Sequence, residues 1–114
     1  MKLYYYAIDG DDIGACLEKH ALSNDLEAIR YLSTNVYKCL DNIKTYLEEN
    51  SATIVFCGGD SILATSENRI EITIDKLTFG EFSFSAGIGD TCCNATLALK
   101  KAKGLGKKRI EVML

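Results

Sequence analysis

The sequence predicts an α+β fold: an antiparallel sheet with helices on one face, laid out in the order βαββαβ, plus a short extra strand at the C-terminal end. Three observations carry this expectation. Strand-like and helix-like stretches alternate along a chain of one-domain length, 114 residues. A long amphipathic stretch separates the first strand from two strands joined by only three residues. A strictly alternating strand late in the chain is then followed by a second helix and a last strand.

The elements follow in order. Lys2 to Ile8 (KLYYYAI) is aromatic and β-branched and reads as a buried strand. It stops at Asp9-Gly10-Asp11-Asp12, residues that a strand interior rejects. Ile13 to His20 reads as a first helical piece, broken near Ser23. Asn24 to Asn50 reads as one long helix, because Leu26, Ile29, Leu32, Val36, Leu40, Ile43 and Leu47 recur at spacings of three and four. Asn24 with Glu27 fits a capping box at its start.

Thr53 to Cys57 and Ser61 to Thr65 form a hairpin around Gly58-Gly59-Asp60. Arg69 to Leu77 fits a short helix. Glu81 to Ile88 alternates, with Phe82, Phe84, Ala86 and Ile88 on one face and Glu81, Ser83 and Ser85 on an exposed one. Asn94 to Lys103 is a helix ended by Gly104, and Lys108 to Met113 a last short strand. This is the ferredoxin-like plan. A right-handed crossover makes the first two strands parallel and places the third between them.

Composition bounds the function. Apolar residues are 47% of the chain and charged residues 25%, enough for one soluble core over residues 1–114. A net charge of −3 gives no general attraction to nucleic acid or to an anionic membrane. No apolar run approaches the roughly 20 residues that span a bilayer, and MKLYYYAIDG has no signal-peptide cleavage site. The expectation is a cytoplasmic protein without stable nucleic-acid or membrane binding. The five cysteines are odd in number and form no C-x-x-C, so they read as small buried hydrophobes in a reducing compartment. The one histidine, His20, reads as a helix-end or surface residue.

The topology brings chemistry together. The end of the first strand and the turn between the next two lie at one edge of the sheet, and strands are spaced about 4.8 Å apart. Asp9 and Asp60 therefore converge, with Asp11 and Asp12 close by. Crowded carboxylates repel unless a cation neutralises them. Oxygen ligands without nearby Cys or His favour Mg²⁺ or Mn²⁺. Gly58 and Gly59 leave room for a bulky ligand beside the backbone. D-G-D-D also suits a surface turn and G-G-D a hairpin loop; only together do they point to a metal edge. Six of the 13 Lys and Arg fall in the last 15 residues: Lys100, Lys101, Lys103, Lys107, Lys108 and Arg109. They read either as a solvated helix end or as a clamp for a triphosphate. Ser83 and Ser85 either line the pocket or are simply solvated.

AIDGDDIG (Ala7 to Gly14), FCGGDSILA (Phe56 to Ala64), FSAGIGD (Phe84 to Asp90) and ATLALKKAKGLGKKRIEV (Ala95 to Val112) resemble the motifs of the nucleotide-cyclase and polymerase palm superfamily. That group includes GGDEF diguanylate cyclases and the polymerase-like subunit of type III CRISPR complexes; the chain is most similar to minimal CRISPR polymerases, stand-alone palm domains of bacterial anti-phage defence. The resemblance implies a palm domain in which metal ions, a pair of Mg²⁺ or Mn²⁺, bind Asp9, the Gly10 carbonyl, Asp11 and Asp60. It implies Asp9 and Asp60 as the catalytic pair, and Lys103 and Lys107 as triphosphate-binding cations, with Gly10, Asp12, Gly58, Gly59 and Ser61 against the nucleotide. Its relatives carry an acid where this chain has Ser61.

The activity implied is nucleotidyl transfer between two NTPs, ATP favoured, one per palm of a head-to-head homodimer. The product would be a cyclic di- or oligonucleotide, passed to a downstream cyclic-nucleotide-binding effector. Two other activities fit the same residues: an archaeal-type GTP cyclohydrolase of the same palm fold, and a catalytically degenerate nucleotide sensor.

Overall fold

Strand β1 (Tyr4–Gly10) runs through the middle of the sheet, and everything around it is ordered by what its two faces bury. The computed structural model describes residues 2–114. After β1 come helices α1 (Ile13–Leu22) and α2 (Leu26–Glu49), then strands β2 (Thr53–Gly58) and β3 (Ser61–Ser66). A 3₁₀ turn (Ile74–Leu77), the two-residue strand β4 (Thr78–Phe79) and strand β5 (Phe82–Gly89) follow. Helix α3 (Cys92–Gly104) and strand β6 (Ile110–Met113) complete the chain. The strand order is β2-β3-β1-β5-β4, with β6 also on β5.

The crossover holds as expected. β3 pairs antiparallel with both β1 and β2, so β1 and β2 run parallel with β3 between them. β6 pairs parallel to β5, a departure from an all-antiparallel sheet that the intervening α3 makes necessary. β2, an edge strand, carries a bulge at Val55: Ile54 faces Ala64, Phe56 faces Leu63, and the residue between has no partner.

The α+β palm class predicted above is the observed one, but the helices do not share a face. Tyr6 and Ile8 of β1, Ile62 and Ala64 of β3 and Phe84, Ala86 and Ile88 of β5 form one core with Leu32, Val36, Leu40, Ile43 and Leu47 of α2. The alternate residues Ala7, Ser85, Gly87 and Gly89 face the other way, where α3 lies against β1, β5 and β6. Small residues make this second layer: Ala95, Ala98 and Ala102 of α3 are fully or almost fully buried. A Cβ on Gly87 would lie 2.1 Å from the Ala95 carbonyl oxygen and 2.3 Å from the Leu99 nitrogen. The sheet is thus covered on both sides of β1 and β5.

Other expectations shift in detail. The cap of α2 is Asp25, whose side chain accepts from the Ala28 N–H, while Asn24 turns left-handed before it (φ 53°). Arg69 to Leu77 is mostly irregular, because Ile70, Ile72 and Leu77 are buried beneath an extended segment that closes only in the 3₁₀ turn. Cys39 is buried, whereas Cys57 on the edge strand and Cys92 and Cys93 in the first turn of α3 are exposed. Among the described residues no helix is long and apolar enough to cross a membrane.

Candidate active site

The site forms where β1 ends beside the β2–β3 turn. Asp9 sits opposite Ser61 in the β1–β3 register and opposite Ser85 in the β1–β5 register, so it is central in the sheet. Two main-chain hydrogen bonds fix the strand end: the Gly10 N–H donates to the Asp60 carbonyl (3.0 Å) and the Asp11 N–H to the Ser83 carbonyl (2.9 Å). Asp60 is the second of the two residues between β2 and β3. Gly59 precedes it with φ 60°, a conformation that glycine adopts without penalty at the first central position of a tight hairpin. Nothing lies within 4 Å of a Cβ placed on Gly59, so the turn conformation, not a packed neighbour, calls for glycine there. Gly58 stands under the Phe56 ring, 3.3 Å from its would-be Cβ. Gly10 is the glycine that the site leaves no room to replace: a Cβ there would lie 2.6 Å from Ile13 Cγ1 and 3.0 Å from Asp60 Oδ2.

Asp9 and Asp60 are brought together around one hydroxyl. Ser61 Oγ donates to Asp9 Oδ1 at 2.5 Å and lies 3.5 Å from Asp60 Oδ1. Burial, then the negative charge of Asp9, pushes the Asp60 carboxyl above its ordinary value; a backbone hydrogen bond and the charge of Lys103 act against the shift. Two carboxylates and the neighbouring Gly10 carbonyl form a hard-oxygen donor set, which fits Mg²⁺ or Mn²⁺ completed by water and phosphate oxygens.

Asp11 is not part of that set. Its side chain is 5% exposed, and four donors saturate it. Ser85 Oγ (2.7 Å) and Lys103 Nζ (2.7 Å) reach Oδ1, while Ser83 Oγ (2.8 Å) and the Lys108 N–H (3.0 Å) reach Oδ2. Burial alone would raise its carboxyl; the hydrogen bonds from Lys103, Ser85 and Ser83, with the Lys103 charge, outweigh it and hold the group below its usual value. The expected four-carboxylate cluster thus divides, and among the described residues no three Asp, Glu, His or Cys side chains share metal-binding geometry. Both hydroxyls serve Asp11: Ser85 is fully buried beneath α3, neither solvated nor lining a pocket, whereas the part-buried Ser83 also lines the groove beside Asp12.

The cations differ as well. Lys103 points into the site and gives its three donors to the Asp9 carbonyl (3.1 Å), the Gly10 carbonyl (2.8 Å) and Asp11. Lys107 is exposed and pairs with Asp12, whose hydrogen bond raises the lysine's proton affinity. Asp12, Lys107 and Lys108 all take left-handed φ values (60°, 66° and 49°), an unusual density for residues with a Cβ. The Lys108 N–H on Asp11 was not foreseeable from spacing, because it depends on how the chain turns after α3.

Two grooves flank α1. One, about 540 Å³, runs between α1 and α2 from Gly59 and Asp60 past Ile13, Leu17, Ser33 and Tyr37. The other, about 530 Å³, opens on the far side of Ile13 toward Asp12, Cys16, His20 and Glu81. Cys16 Sγ and His20 Nε2, one turn apart on α1, are 3.5 Å from each other and both line this groove.

Residues 5–113 match the family model described as the minimal CRISPR polymerase domain. The chain belongs to this family. The minimal CRISPR polymerase fold here resembles the active GGEEF domain of a diguanylate cyclase from Vibrio cholerae, with a TM-score of 0.59 at 15% identity over 98% of this chain and 83% of that one. A search of curated proteins returns no match. The family marks a polymerase type of domain, a nucleotidyltransferase in the broad sense, and the likeness to the GGEEF domain shows the fold the two share.

Proposed function

We propose that this minimal CRISPR polymerase domain is a metal-dependent nucleotidyltransferase that joins NTPs into a cyclic di- or oligonucleotide signal for anti-phage defence. The observation that carries the reading is the Asp9–Asp60 pair, joined through Ser61 and approached by Lys103, with Asp60 lining the groove between α1 and α2. Magnesium or manganese ions at Asp9, Asp60 and the Gly10 carbonyl would neutralise the triphosphate and polarise the attacked α-phosphorus. The residues of the chain supply position. Ile13, Leu17 and Tyr37 give the base an apolar slot that ends at Asp60. Gly10 keeps the Asp60 carboxylate close to the strand end. Lys107, held on the surface by Asp12 alone, is the cation free to exchange that carboxylate for a phosphate.

A ribose hydroxyl of one nucleotide then attacks the α-phosphorus of another, the bond to the β-phosphate oxygen breaks, and pyrophosphate leaves. Repetition closes the ring. One palm presents one such site, so the reaction calls for two copies placed head to head, with ATP the favoured substrate and a cyclic-nucleotide-binding effector downstream. Catalysis is by orientation and charge neutralisation, without a covalent enzyme intermediate.

The test is incubation with each NTP and Mg²⁺ or Mn²⁺, followed by mass analysis. Pyrophosphate with a cyclic nucleotide is expected, and Asp60→Ala should yield neither while its circular dichroism stays native. An active Asp60→Ala variant would show that the pair is not the metal edge. A ring-opened pyrimidine would indicate cyclohydrolase chemistry. One observation favours a second reading: with Ser61 in an acid's place, only two carboxylates are unspent. Tight NTP binding with no pyrophosphate would establish this palm as a sensor.

A further inference from the structure

Lys103 is the best-satisfied cation of the molecule, and the oxygens that satisfy it are those of the site. Its side chain is 23% exposed. Its ammonium takes the Gly10 carbonyl at 2.8 Å, the Asp9 carbonyl at 3.1 Å and Asp11 Oδ1 at 2.7 Å, and stands 3.4 Å from Asp9 Oδ2. Two of these groups, the Gly10 carbonyl and the Asp9 carboxylate, are ones that the proposed function gives to a divalent cation. An ammonium and a dication on the same oxygens repel each other.

We infer that Lys103 is the resident cation of the metal-free site, and that Mg²⁺ or Mn²⁺ binding expels its ammonium from the Asp9 and Gly10 oxygens while Asp11 retains it. The inference rests on the reading of Asp9 and Asp60 as metal ligands. Asp11 is built to be the retaining partner: Ser83, Ser85 and the Lys108 N–H hold its carboxylate in place whether or not Lys103 leaves Asp9. A lysine suits the role, since its compact charge on a flexible stem moves without the planar constraint of a guanidinium. The ammonium so released remains tethered beside the strand end, next to where phosphate charge would arrive. Lys103 is then a positioning residue that holds the strand-end oxygens against the metal, and metal and lysine are competitive by linkage.

The experiment uses Mn²⁺ alone, without nucleotide, on the whole chain. Titration calorimetry should find that Lys103→Met binds Mn²⁺ about tenfold or more tightly than wild type. Lys101→Met, on the same helix but paired with Glu111, should match wild type. Asp60→Asn should remove the binding in both backgrounds. Equal affinity in wild type and Lys103→Met overturns the displacement. No Asp60-dependent binding in either chain is a different failure, that of the metal reading itself, and removes both.

A measurement on unmutated protein guards against a variant that does not fold and separates displacement from simple charge removal. A lysine ammonium held by three acceptors exchanges slowly with water and gives a ¹H–¹⁵N signal. The metal-free protein should show one for Lys103 that vanishes or shifts at saturating Mg²⁺. A signal unchanged by bound Mg²⁺, or no such signal in the metal-free protein, overturns the inference.

Discussion

Four donors converge on the Asp11 carboxylate, and the lysine among them decides its proton affinity. Because its folded value is depressed, its contribution to stability is present in full above the unfolded value near 4. That contribution is lost as pH falls from there through the folded value. Asp60 runs the opposite way. Its folded value is raised, so its contribution is in full below the unfolded value and is lost as pH rises from about 4 through the folded value. Asp11→Asn should cost about 2 kcal/mol at neutral pH, since it takes from Lys103 the nearer of its two carboxylates and leaves Asp9 at 3.4 Å. The difference from wild type should narrow below about pH 4. Urea unfolding at several pH values measures both. A second expectation concerns Ser61→Asp, which sets a third carboxylate beside Asp9 where a hydroxyl now donates at 2.5 Å. Its melting temperature without metal should fall below wild type, and Mg²⁺ should raise it by more than it raises wild type. Thermal melts with and without Mg²⁺ decide. At this scale the sequence showed which acids end up near one another, but not which remain free. The convergence of Asp9 and Asp60 follows from strand order alone, whereas the capture of Asp11 depends on three elements distant in sequence.

Helix α3 carries Lys103, and its distance from the sheet is set by glycine. Adding a methyl at Gly87 would drive Cβ to 2.1 Å from main-chain atoms of α3, and no side-chain rotation relieves a backbone clash. Gly87→Ala should destabilise the fold by at least about 3 kcal/mol, measured by denaturant unfolding. It should also weaken the grip of Lys103 on the strand end, since the helix must move outward to accommodate the methyl. The element boundaries were largely legible: the 3.6-residue stripe of α2 and the alternation of β5 both reappear in the structure. What alternation left open was which side each helix covers. The decisive signal was size, with Gly87 and Gly89 of β5 matched by Ala95, Ala98 and Ala102 of α3. The extended run before β4 was misread for the opposite reason: its buried isoleucines satisfy either period.

On the scale of the molecule, the proposed reaction between two nucleotides, at a palm with one carboxylate pair, calls for assembly. Product formation per unit protein should fall on dilution, and the apparent mass by sedimentation should fall with it; a rate strictly proportional to concentration down to the monomer would mean that one palm suffices. The geometry of the outermost strand bears on how copies can meet. β2 ends the sheet with Val55, Phe56 and Cys57 exposed, a composition that invites another strand to pair along it. The unpartnered residue at Val55 throws the ladder out of step just there. A bulge at that point works against growth of the sheet from protein to protein along so apolar a border.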